Sequence, residues 1–313
     1  MPGAKLKTVF RPVGHTELLK EGAVRPRSFD MEYVDVPVLI QAFRRMVRGL
    51  EFDICELAFT TYLCAKAHGK AFTAIPVFPA RVFHHGAILH NRRAGIRVPK
   101  DLEGKIVGIH RGYTVTTGVW ARSILQHEYD VNLEKVTWLL SGDEHVEEFR
   151  PPANVIPITR GRSLEEMLVS GEIPAAINVN VDHPDVECLI PNAEAAGFEA
   201  LSAQGHYPIN HTVVVKDELL AAYPDLAADL FRAFVEAKRP YVDRLMANQI
   251  AAPTKADRTH RRVMEITGSD PLPYGIEPNR KMINVVIQYA REQGILARSF
   301  SMEELFAPGT LEL

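Results

Sequence analysis

Cysteine is scarce: the 313-residue chain has only Cys55, Cys64 and Cys188. The number is odd, no CxxC pair occurs, and the spacing is not that of a zinc site, so a disulfide framework and a cysteine metal centre are both excluded. Such thiols fit the reduced interior of a cell. No run of about 18 apolar residues is present, which excludes a membrane-spanning helix. The opening MPGAKLKTVFRPVG has neither the apolar core nor the small-residue cleavage site of a secretory leader. The expectation is a soluble, cytoplasmic protein with no membrane partner. Neither a glycine-rich phosphate loop nor a dinucleotide fingerprint appears, and there is no repeat or low-complexity segment. One-signed charge is missing too: the net charge is −3, which argues against a nucleic-acid surface.

What is present is an ordinary globular composition, 46% hydrophobic and 24% charged. The length suits two domains or one large α/β unit. Lys5 to Phe10 and Met31 to Val36 alternate as strands, and Val38 to Leu50 has helical apolar spacing. Strands at 51–57 and 72–78 bracket a short helix at 61–68. A strand at 105–109 leads through a Thr-rich turn into a helix at 116–129, followed by a strand at 137–140. Ser163 caps a helix to 170, with Glu166 at the capping-box position, and 175–179 is a strand. A strand at 211–215, helices at 224–244 and 278–293, and a final capped helix at 301–306 complete the pass. This order predicts an α/β protein with one block over 1–95, joined by the returning segment 207–313, and a second block over 96–206. A discontinuous lobe around a continuous one implies a two-lobed architecture with an inter-lobe cleft as the small-molecule site.

The stretch from Phe52 to His90 is the richest in chemistry. It delivers Arg81, His84 and His85 at the end of a Pro-bracketed strand. A guanidinium beside imidazoles suits an anion that must be held and protonated. If the segment stays extended, His84 and His85 face opposite sides.

Several stretches together resemble the 4,5-dihydroxyphthalate decarboxylase family: FDICELAFTTYL, AIPVFPARVFHHGAI, DLEGKIVGI, VWARSILQHEYDV and YPINHTVVVKDEL. DLEGK is shared by many proteins with the type II periplasmic-binding-protein-like fold. Arg81-x-Phe83-x-His85, with Trp120, Arg122 and Pro208-Ile-Asn-His211, is more specific. The resemblance covers most of residues 5–245 and implies that bilobal fold in a cytoplasmic enzyme. The chain departs from the family pattern at Leu57-Ala58, at Arg122-Ser123 and at Ala203 to Tyr207. These positions flank the expected pocket and bear on which aromatic acid it takes.

The resemblance implies decarboxylation of 4,5-dihydroxyphthalate or a related dihydroxylated aromatic acid, giving protocatechuate and carbon dioxide. Each carboxylate of that substrate has a para hydroxyl, so the ring supplies its own electrons and no organic cofactor is required. Arg81 is then the carboxylate clamp and His85 the first candidate for the acid that protonates the ring carbon. His211 is either a second acid/base or a group that orients substrate. Glu56 orients a histidine, accepts a phenol proton or caps the following turn. Tyr113, Thr114, Thr116 and Thr117 lie where a strand enters a helix, whose first amides favour a second carboxylate. Trp120 stacks on substrate or packs in the core, with Arg122 two residues on. Asn178 ends a strand of the second lobe and closes over ligand. His84, His85 and His90 with Glu56 could compose a divalent-ion site, which no HxH, HExxH or cysteine pair supports and nothing in the sequence excludes. Two other classes compete, a solute-binding protein for a small carboxylate and a thiamine-pyrimidine-synthase-like protein, whose Cys-rich iron motif is missing. The amphipathic C-terminal region permits self-assembly.

Overall fold

The structure is a computed structural model and describes residues 4–313; the first three residues of the stretch read as leader-free lie outside them. Its strands in chain order are β1 (Lys5–Val9), β2 (Asp30–Tyr33), β3 (Ile54–Ala58), β4 (Phe72–Arg81), β5 (Ile88–Asn91), β6 (Ile106–Ile109), β7 (Thr137–Leu140), β8 (Val155–Pro157), β9 (Ala175–Ile177), β10 (Val186–Cys188) and β11 (Ile209–Lys216). They form a five-stranded and a six-stranded sheet, each in its own compact unit.

The first unit holds the chain up to Arg81, Ile209–Asn284 and Phe300–Leu313. Its sheet order is β2-β1-β3-β11-β4, with β11 antiparallel to both neighbours. Central β3 is buried along its whole length, Glu56 included, as a strand covered on both faces must be. Proline lacks the donor a central strand needs, which suits Pro76 and Pro79 to β4 at the sheet edge. Their carbonyls still accept: Pro76 from the Gly275 N–H at 2.8 Å, and Pro79 from a histidine described below. The β4–β11 register shifts on either side of His211, so this end of the pairing is irregular. The helix Leu39–Gly49 buries Ala42, Phe43, Met46 and Val47 as the spacing predicts, and ends at Leu50 in the left-handed region. The core joins Leu6, Ile54, Ile75, Val213 and Val215 of the sheet to Leu230 and Phe234 of the helix Leu226–Met246.

The second unit comprises Val82–Pro208 and Val285–Ser299. Its sheet order is β10-β5-β9-β6-β7-β8. β6 and β7 are parallel, joined by the helix Thr116–Tyr129, the crossover that parallel neighbours require. A Cβ at Gly108 in β6 would sit 2.8 Å from Leu164 Cδ2, so a larger residue there must displace that side chain. The chain leaves the first unit after Arg81, earlier than the expected residue 96, because β5 pairs with β9 and β10. Residues 285–299, expected with the first block, also belong here. β5, β8, β10 and the helices Ala193–Gln204 and Lys255–Thr267 lie outside the elements expected from the sequence. No described helix is long and apolar enough to cross a membrane.

Candidate active site

The first unit gathers polar groups where β1, β3 and β4 end and β11 begins. Register determines the central pair. His211 lies opposite Ala58 and Val213 opposite Glu56, so His211 and Glu56 are diagonal neighbours on one face. The side chains meet, with Nδ1 2.5 Å from Oε1. The other carboxylate oxygen accepts the Arg11 backbone N–H at 2.8 Å, and the Arg11 guanidinium stands 3.6 Å from Oε1. Glu56 is 1% exposed. Burial pushes its carboxyl up, but the hydrogen bond and charge of His211, with Arg11, outweigh it and hold the pKa below its usual value. Glu56 is therefore a carboxylate. A carboxylate only accepts, so His211 donates from Nδ1, and Nε2 is the ring nitrogen this bond leaves unengaged. Phe43 meets the imidazole edge-on at 5.1 Å.

Arg81 ends β4 and is buried, with Ala80 opposite His211 and Arg81 opposite Ile209. Its guanidinium donates to Asn279 Oδ1. The Asn279 amide donates to Pro273 O at 2.9 Å and Gly275 O at 2.7 Å, which fixes Oδ1 as the end facing Arg81. Asn279 carries no sequence signal of this role, and neither does a buried histidine–tyrosine cluster in the same unit. His15 Nε2 is 2.9 Å from Pro79 O, and Tyr241 OH bonds both Asp257 at 2.6 Å and His260 at 2.8 Å. Burial lowers His15 and His260 to about 4, so both rings are neutral at pH 7.

In the second unit His85 does not leave an extended strand. β4 has ended, and His85 opens a tight 3-10 turn to Ala87. His84 and His85 are both buried, so the expected alternation does not apply. His85 Nε2 meets Glu128 at 2.9 Å. His84 stacks on Trp120, which also meets Tyr289 edge-on at 5.4 Å; Trp120 is 2% exposed.

The amides before the helix Thr116–Tyr129 already hold an anion. Glu144 accepts from the Tyr113 N–H, from the Thr114 N–H at 3.1 Å and from Thr114 Oγ1 at 2.6 Å. Thr116 is buried and Thr117 half-buried in the first helical turn. Arg122 is fully buried, 3.7 Å over the Tyr113 ring, and bonds Tyr113 O and Gln293. Burial lowers its pKa, although the guanidinium remains charged. Asn178 is half-buried just past β9, in the left-handed region at φ 62°, its N–H on Ala87 O. Among the described residues no group of three or more His, Cys, Asp or Glu is arranged to hold a metal; Glu56 belongs to the first unit, and His84, His85 and His90 to the second.

Comparison with known proteins gives a consistent picture. No family profile matches the chain. It is 29% identical over 289 residues to the 4,5-dihydroxyphthalate decarboxylase of Comamonas testosteroni, covering 87% of each chain. It is 33% identical over 181 residues to the 4,5-dihydroxyphthalate decarboxylase of Pseudomonas putida, covering 52% of this chain and 69% of the other. Among solved structures it shares the fold of the periplasmic aliphatic sulphonate binding protein SsuA from Escherichia coli, with a TM-score of 0.54 at 12% identity over 97% of this chain and 91% of that one. The desulfurization enzyme DSZB has the same fold, at a TM-score of 0.51 and 13% identity over 98% and 97%. One fold thus serves binding proteins and an enzyme, and the fold alone does not choose between them.

Proposed function

The chain belongs to the 4,5-dihydroxyphthalate decarboxylase family and is a carboxy-lyase, and from that premise we propose that it decarboxylates 4,5-dihydroxyphthalate, or a closely related dihydroxylated aromatic acid, to protocatechuate and carbon dioxide. The observation that carries this reading is the buried Glu56–His211 pair, one strand from Arg81.

In this reading Arg81 holds the carboxylate that stays on the ring, in the two-point geometry that guanidinium favours. The hydroxyl para to the departing carboxylate pushes electron density to the carbon that bears it. His211, protonated and with Nδ1–H fixed on Glu56, gives its Nε2 proton to that carbon. The carbon–carboxylate bond then breaks, its electron pair returns to the ring, and carbon dioxide leaves. Water reprotonates His211. One proton enters and one carbon dioxide departs, with no electron donor or acceptor required. His211 is preferred to His85 as the acid because it lies beside Arg81 on a neighbouring strand. Within the second unit, Trp120, Tyr113, Thr116, Thr117 and Asn178 remain candidates for substrate contact, and Arg122 supports Tyr113. This use in breaking down phthalate-type compounds suits a cytoplasmic location, which the three free thiols favour.

The test is incubation of the purified protein with 4,5-dihydroxyphthalate and no added cofactor. Protocatechuate and carbon dioxide should form in equal amounts. Tight binding without turnover would point instead to a carboxylate-binding protein and sink this reading.

A further inference from the structure

The loop from Asp270 to Gly275 is fastened with unusual completeness. Lys238 bonds Asp270 and, at 2.6 Å, the Leu272 carbonyl. Asn279 takes the Pro273 and Gly275 carbonyls. The Gly275 N–H reaches Pro76 O on β4, in a left-handed conformation at φ 93° that glycine tolerates. Every one of these bonds braces the residue between them, Tyr274. Lys238 Nζ also sits 4.1 Å from the centre of its ring.

Yet the one polar atom Tyr274 carries is unused. Its hydroxyl is shut from solvent and has no hydrogen-bond partner among the described residues. A buried donor without a partner is costly, and such groups commonly mark a functional site. The surroundings are those of the proposed site. Asn279, which fastens this loop on both sides of Tyr274, is the residue that orients Arg81, and the charges of Asp270, Glu56 and Arg81 all act on the Tyr274 hydroxyl. Burial raises its pKa, so the group remains a donor throughout the working pH range.

We infer that Tyr274 is a substrate-binding residue, its hydroxyl donating to the carboxylate that Arg81 also holds. This rests on the proposed decarboxylase reading, in which that carboxylate survives in the product. Asn279 then serves both groups, holding the loop that carries Tyr274 and aiming the guanidinium.

The test is Tyr274→Phe, which keeps the ring and removes only the hydroxyl. The account expects the variant to melt at or above the temperature of the unmodified protein, because a buried unsatisfied group has gone. It expects KM for 4,5-dihydroxyphthalate and the inhibition constant of protocatechuate to rise about tenfold. Catechol, which has no carboxylate, should inhibit both proteins equally. Unchanged protocatechuate inhibition, an equal loss of catechol inhibition, or a lowered melting temperature would each overturn the inference. If the unmodified protein releases no carbon dioxide from dihydroxyphthalate, the proposed function fails, while direct protocatechuate binding to both proteins still decides the role of Tyr274.

Discussion

Glu56→Gln is the perturbation that asks most of the proposed site, since it keeps shape and removes charge. The carboxylate has two oxygens and serves two buried donors, His211 Nδ1 at 2.5 Å and the Arg11 N–H at 2.8 Å. An amide has one oxygen, so one of those donors must face an NH2 group. A tautomer switch resolves this, the amide NH2 donating to a bare Nδ1 while its oxygen keeps the Arg11 N–H, so what is lost is the charge in two buried bonds, about 1 kcal/mol of unfolding free energy at pH 7. The effect on rate is larger. An amide can donate to Nδ1, which moves the neutral ring's proton to Nε2, and the imidazolium loses its counter-ion. Loss of a positioned acid costs about 10²–10⁴-fold, so kcat for carbon dioxide release should fall by that range. The pH profile carries a further sign. Because the native Glu56 pKa is lowered, its ionised form contributes stability above the unfolded value of about 4.3, which is lost as pH falls through the native value. Glu56→Gln should flatten the stability profile in that acid range. Carbon dioxide release and urea unfolding, measured on the same preparation, make the comparison. A variant destabilised as calculated but with kcat within about threefold of the unmodified protein would refute the catalytic role and leave the pair purely structural.

Asn279→Ala should loosen the aim of Arg81 and raise KM about tenfold with a smaller change in kcat, because a carboxylate that stays on the ring is held alike in ground and transition states; steady-state kinetics separate the two constants. His15 and His260, lowered to about 4 from 6.5, are neutral in the fold. Their contribution is complete above pH 6.5 and is lost as pH falls toward 4, on the order of 3 kcal/mol per ring; denaturant titrations across that window should show the loss, and His15→Gln should reduce it. Gly108→Ala places a methyl 2.8 Å from Leu164 Cδ2 and 3.0 Å from Ile173 Cδ1. Thermal melting should register about 1–3 kcal/mol of overpacking.

The parts of the fold that were legible are those written in local chemistry. Ser163 and Ser301 accept from the third residue of their helices, as the capping pattern predicts. The helix over 116–129 and the strand over 137–140 fall where periodicity put them. The helix Lys255–Thr267 escaped because it buries only His260 and Val263 and so has little apolar stripe, although Thr254 with Asp257 forms a capping box that could have revealed it. The site was harder to read for a different reason. Glu56 and His211 were both singled out, but their meeting depends on the register of strands 155 residues apart in sequence, which no local pattern encodes. Tyr274 looks like an ordinary loop residue and Asn279 like part of a helix's first turn until the hydrogen bonds around them are traced. The amides at Tyr113 and Thr114 were read as a place for a substrate carboxylate, and the group they bond is Glu144, from the loop after β7; no spacing rule links the two.

The most direct measurement of the central claim, that His211 gives the ring its proton, is turnover of 4,5-dihydroxyphthalate in deuterated water by the unmodified protein and by His211→Ala, with substrate affinity measured in parallel. The unmodified protein should give protocatechuate bearing one deuterium at the vacated ring carbon. The variant should release carbon dioxide at least about a hundredfold more slowly, with affinity changed by less than about fivefold. A variant that decarboxylates at the unmodified rate would contradict the claim.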